Sequence, residues 1–183
     1  SSYLFANITN LRNIEDINTW DTSNVRDMSY MYSNTGVTAT TFNLDLSNWD
    51  VSKVINMYSM FENSGMNATT WGIGDLSSWD TSKVTTMNSM FKKAGENATS
   101  WNSIGTLSIH ANVTKEMFAD CKSFKGDLNV YNNPDIYDHM FENTSSTVGA
   151  GITVNYTNDV TSIDDMIATK SHDSNVIKGS VIS

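Results

Sequence analysis

Three carboxylates recur in the same setting. Asp45, Asp75 and Asp127 each stand immediately ahead of a leucine in a short alternating apolar run. Stacked one above another, they could turn oxygens toward Ca²⁺, which takes six to eight at once. One Asp per layer, with layers about 5 Å apart, is too thin a ligand set, and no Asp-rich loop accompanies it. His110, His139 and His172 are scattered, with no metal spacing and no nucleophile beside them. Cys121 is alone, which excludes an internal disulfide and a cysteine zinc site. Sequons at Asn7, Asn67, Asn97, Asn112, Asn143 and Asn155 read as composition in an Asn- and Thr-rich chain. They would carry sugar only after secretion from a eukaryotic host. The sequence therefore gives no catalytic residue, no metal site and no cofactor. The remaining candidates are Phe42, Trp71 and Trp101, a ligand-binding row in which each aromatic follows a recurring glycine: Gly36, Gly65 and Gly95.

The elements that must position this row come from a repeat. WDVSKVINMYSMF, from Trp49, is echoed by WDTSNVRDMSYMY from Trp20 and WDTSKVTTMNSMF from Trp79. The lead tryptophans are 29 and 30 residues apart, a period that marks stacked repeats. A degenerate copy starts at Ile109, and weaker ones start at Val130 and Val154. The expected organisation is one repeat domain, 1–183, of about seven units. Well-formed units lie near 20–48, 49–78 and 79–108, shorter ones near 109–129, 130–153 and 154–183, and a partial one at 1–19.

Within a unit, Val54, Met57, Met60 and Phe61 are spaced as one face of a two-turn helix. Asp50 and Ser52, like Asp21 with Ser23 and Asp80 with Ser82, look like helix N-cap material. Alternation at Phe42–Leu44–Leu46, Leu107–Ile109, Leu128–Val130 and Ile152–Val154–Tyr156 reads as short strands. A lone unit buries too little to hold itself together. Stacking turns its strand into one rung of a parallel sheet and joins the apolar faces into a shared core. The expected core positions are Trp20, Trp49, Trp79, Met28, Met57, Met87, Met60, Phe61, Met90 and Phe91. The Gly-to-aromatic insertions (SNTGVTATTF, ENSGMNATTW, KKAGENATSW) are absent from later units, so they are expected to project as a row of loops.

The net charge of −9 argues against nucleic acid and against a polybasic membrane contact. No apolar run is long enough to insert in a membrane as a helix. The chain is expected to be a mature or excised piece with no leader of its own.

LDLSNWDVSKV, from Leu44 to Val54, and MFADCKSFKGDL, from Met117 to Leu128, resemble the BspA-like leucine-rich-repeat surface proteins of bacteria, in their lipoprotein-type variant. The resemblance is strong from Trp20 to Phe91 and weak after Ile109. It implies an elongated solenoid on a bacterial cell surface, part of a longer protein, associated with adhesion and carrying no catalytic residue. The expected fold is an α/β repeat solenoid: a leucine-rich-repeat-like, right-handed coil with a parallel sheet of short strands on one face and short helices on the other. The expected function is non-enzymatic recognition or adhesion, by a monomer, toward a protein or glycan on host or neighbouring cells. The alternative is a structural spacer with no ligand of its own. An open aromatic strip along the insertion row would mark recognition, and a polar strip the spacer.

Overall fold

A computed structural model describes residues 2–147 and 149–183. The chain winds as a parallel β-solenoid, and three ladders run along its axis. The first sheet joins β1 (Thr41–Asn43), β2 (Thr70–Gly72) and β3 (Ser100–Trp101), with Phe42 beside Trp71 and Trp71 beside Trp101. The second joins β4 (Thr106–Ile109), β5 (Lys125–Val130), β6 (Gly151–Tyr156) and β7 (Val176–Val181). Leu107 pairs with Leu128 and Leu128 with Val154, so the expected alternation is also the register. The third ladder is a line of single parallel bridges through Asp27, Asn56, Thr86, Val113 and Ile136. The coil thus takes 29 or 30 residues early and 27, then 23, later.

The expected helices on the second face do not form. Residues 58–67 make a run of turns instead. The N–H groups of Met57, Ser59, Phe61 and Asn63 donate to the carbonyls of Thr86, Asn88, Met90 and Lys92 in the next coil, at 2.8–3.0 Å. Between them, Met60, Glu62 and Ser64 close three-residue turns onto Met57, Ser59 and Phe61. Ser59 and Asn63 sit in the left-handed region, at φ 50° and 58°. An α-helix would send every such N–H four residues back along its own axis. Here every second one points along the solenoid. The side chains still turn inward at positions i, i+3 and i+4, so Met57, Met60 and Phe61 are buried as expected. The sequence period is the same for both structures, and the hydrogen-bond direction is what differs. The one α-helix among the described residues, α1 (Ile163–Ala168), lies near the C-terminus.

The aspartates read as helix caps fasten turns. Ser23 and Ser52 donate their backbone N–H groups to Asp21 and Asp50, at 3.0 and 2.9 Å. Ser82 does the same to Asp80, at 3.0 Å. Short polar side chains favour such local closure over a helix interior.

Two aromatic columns fill the interior. Phe5, Tyr32, Phe61, Phe91, Phe118 and Phe141 stack nearly parallel, with successive centroids 5.2, 5.3, 5.4, 5.4 and 5.8 Å apart. Phe42, Trp71 and Trp101 form the second, 6.0 and 4.0 Å apart. Trp71 meets Phe61 and Phe91 edge-on, which fuses the two columns. The insertions are therefore a second wall of the long coils and not projecting loops. Gly65 shows how the wall closes. It is left-handed at φ 51°, and a Cβ there would stand 2.6 Å from the Cβ of Phe42 and 2.8 Å from Trp71 Cδ1. Only glycine fits that approach.

Candidate recognition surface

The expected ligand row is buried. Phe42, Trp71 and Trp101 have almost no exposed surface, so they offer a partner nothing to touch. They line the inner side of β1–β3, and the strand alternation that buries them turns their neighbours outward. Trp71 Nε1 donates to the Ser64 carbonyl at 3.0 Å. Trp101 Nε1 is buried without a partner and is held by stacking on Trp71.

The outward side carries Thr41, Asn43, Thr70, Ser100 and Asn102, flanked by rows of Thr40, Thr69 and Thr99 and of Thr38, Asn67 and Asn97. The hydroxyls of Thr69 and Thr99 donate to the carbonyls of Thr40 and Thr69, at 2.9 and 3.3 Å, and Asn97 donates to Asn67 at 2.9 Å. The flanking rows are thus tied across coils by Thr69, Thr99 and the Asn67–Asn97 pair. The insertion face is a polar strip with no aromatic on it.

The carboxylates do not pool. Asp45 accepts from the Ser47 hydroxyl and Asp75 from the Ser77 hydroxyl, each at 2.6 Å. Those bonds hold both acids below the usual carboxylate range. Asp127 lies within β5. No group of three or more acid, histidine or cysteine side chains able to hold a metal occurs among the described residues. His110 stacks on Tyr131 at 4.6 Å, while His139 and His172 pair with Glu142 and Asp173. The Cys121 thiol is fully buried, and that burial pushes its pKa well up, the reverse of what a reactive thiolate needs. A shallow groove opens where the long coils give way to the short ones, beside Ser103, Lys125, Ile152 and Asn175. Lys125 is its one ionisable side chain.

Of the expected core positions, Met28, Met57, Met87, Met60, Phe61, Met90, Phe91, Trp49 and Trp79 are buried, and Trp20 is not. Trp20 lies at the N-terminal end of the solenoid, where its ring packs 5.8 Å from Phe5. Trp49 and Trp79 instead lie over a preceding coil, and their Nε1 groups donate to the Ile17 and Leu46 carbonyls at 2.8 and 3.1 Å.

An aromatic strip does reach the surface, but on the turn face. Tyr3 stacks on Tyr30 with centroids 4.6 Å apart and 12° between planes, and Tyr30 meets Tyr58 at 5.1 Å. Tyr3 is exposed, and Tyr30 and Tyr58 are half-buried. Tyr30 holds the left-handed position that Ser59 holds in the next coil, and Tyr58 holds that of Asn88. The coil needs no aromatic at either place. Partial burial, with Tyr58 close by, pushes the Tyr30 phenol up to about 12, so it stays a neutral donor and acceptor. The repeat alignment hid this strip, because its rings come from two different repeat positions. Large aromatics in the outward-facing slots of the turn segment were the available signal.

These features define a parallel β-solenoid without a catalytic constellation among its described residues. Residues 1–73 and 65–178 match the family described as "Mycoplasma protein of unknown function, DUF285", and the chain belongs to that family. No curated protein and no solved structure is similar to it. No helix is long and apolar enough to cross a membrane among the described residues.

Proposed function

We propose that this chain is a non-enzymatic recognition or adhesion module of a bacterial cell surface, binding a protein or glycan partner through the turn face of its solenoid. The Tyr3–Tyr30–Tyr58 strip is the observation that carries the reading. Tyrosines supply large, rigid contact area with a polar tip at little entropic cost, and they are enriched at binding hot spots. The fold has no use for them at these positions, where serine and asparagine serve the next coil. The likeness of the WDxS repeats to BspA-like surface proteins supports the same placement.

The test is a glycan and host-matrix array, followed by Tyr30→Ser with Tyr58→Asn, which installs the residues that the next coil carries. Affinity for an array hit should fall at least about tenfold, the effect of losing a hot-spot residue, with the thermal midpoint nearly unchanged. A double variant that binds as well as the parent overturns the tyrosine strip as the site. The second reading, a spacer, is favoured by the polar insertion face and the unbroken aromatic column from Phe5 to Phe141. A blank array with the intact protein selects it.

A further inference from the structure

The second wall of the solenoid stops at β3, which has no successor in its sheet. The coils that follow leave the shallow groove at this step, on the flank of the molecule. Its lining comes from Ser103, ahead of β4, and from β5, β6 and β7, so it spans four successive coils. It encloses about 380 Å³, within the range of about 300–1,000 Å³ that small-molecule sites occupy. Glycines keep its floor bare. Gly149 is left-handed at φ 80°, and a Cβ on Gly151 would stand 2.8 Å from Asn175 Nδ2.

Lys125 reaches over that floor. Its Nζ lies 3.9 Å from the position that a Gly149 Cβ would take. Lys53, Lys92, Lys122, Lys170 and Lys178 each give their ammonium to an oxygen of the protein. Lys125 is half-buried, and no ion pair among the described residues uses it. In a chain of net charge −9, this cation sits in a concave place without an acid. Partial removal from water makes an unpaired charge costly. A carboxylate arriving from outside relieves that cost with a charge-assisted hydrogen bond.

The rest of the lining suits a polyol. Asn175 Nδ2 donates to the Ala150 carbonyl at 2.9 Å, which fixes the amide and leaves its Oδ1 to accept. Ser103 Oγ accepts from the Gly105 N–H at 3.2 Å and keeps its own proton to donate. Thr153 adds a second hydroxyl, and Ile177, 53% exposed, adds an apolar wall.

We propose that this groove is a binding site for a carboxylate-bearing sugar. The carboxylate sits on Lys125, ring hydroxyls meet Ser103, Thr153 and Asn175, and a C–H face of the ring lies against Ile177. A peptide C-terminus brings the carboxylate but not the hydroxyls. The site lies on later coils than the tyrosine strip and does not rest on it.

The test is an NMR titration of the isotope-labelled chain with glucuronate, glucose, acetate and N-acetylalanine, the last standing for a peptide terminus. Glucuronate should shift the amides of Gly149, Gly151 and Thr153 saturably. It should bind at least about tenfold more tightly than each of the other three, as expected for one charged contact or its polar companions. Lys125→Gln should weaken glucuronate at least about tenfold, and Lys125→Arg should keep most of the affinity. Both variants should melt within a few degrees of the parent. If Lys125→Gln does not fold, the ranking of the four probes on the unaltered chain decides. Glucose or acetate binding as well as glucuronate overturns the proposal. So do shifts spread evenly over Lys83, Lys93 and Lys115, which mean a non-specific anion only. N-acetylalanine binding more tightly overturns it in favour of a peptide terminus. A folded Lys125→Gln variant that binds glucuronate like the parent also overturns it.

Discussion

The long coils and the short coils bury the same first aromatic column but differ in the second. Between Asp27 and Val113 the coil spends 27 to 30 residues per turn, and the surplus builds β1–β3 with Phe42, Trp71 and Trp101 behind it. Between Val113 and Ile136 it spends 23, and no strand continues that sheet. Phe124 ends the second column at the step, 5.0 Å from Trp101 and 4.7 Å from Phe118, so it bridges both columns. The comparison shows that one shared layer suffices to propagate the solenoid. The second layer widens it locally and gives the long coils a separate polar face.

That contrast can be broken in three ways, beginning with the largest effect. Met90→Asp in a long coil and Met140→Asp in a short one both put an unpaired carboxylate into the shared column. Each should cost several kcal/mol. Because coils contact only their neighbours, hydrogen exchange should quicken first in the flanking coils on each side. Uniform exchange across the chain, or a large cost for one variant and a small cost for the other, would refute a shared layer.

Trp71→Ala removes only the second layer. The cost should be about 3–5 kcal/mol, as for other buried aromatic truncations. It should appear as faster exchange around β1–β3, with β5–β7 still protected. Loss of protection in β5–β7 to the same degree would mean that the two layers are one cooperative unit.

The smallest effect is acid sensitivity. Asp21, Asp45, Asp50, Asp75 and Asp80 all lie in the long coils, and hydrogen bonds from Ser23, Ser47, Ser52, Ser77 and Ser82 hold each below its ordinary pKa. With the folded-state value the lower one, this contribution is complete above the unfolded value of about 3.9. It drains away as pH falls through the folded values. These acids are largely exposed, so the effect is modest. Below about pH 4 the amides of residues 20–82 should lose protection before those of β5–β7. The reverse order, followed by exchange across a pH series, would contradict the serine clamps.

The sequence alone determined the repeat, its period and most of its inward positions. Spacing of apolar residues reports which side chains face the core, and it did so for Met57, Met60, Phe61, Trp49 and Trp79. It also located the strands of the second sheet, whose alternation at Leu107, Leu128 and Val154 coincides with the pairing register. Only the tertiary structure decided where the backbone hydrogen bonds go. A helix and a ladder of turns bury the same i, i+3 and i+4 positions, and they differ in whether an N–H bonds within its own segment or to the next coil. The same limit governed Phe42, Trp71 and Trp101, which recur in register whether they line an inner wall or an outer face. Packing against Phe61 and Phe91 put them inside, while Trp20, with the same local sequence as Trp49 and Trp79, stayed outside. Burial of a stacked residue depends on the coil above it, and that neighbour is a matter of three-dimensional placement.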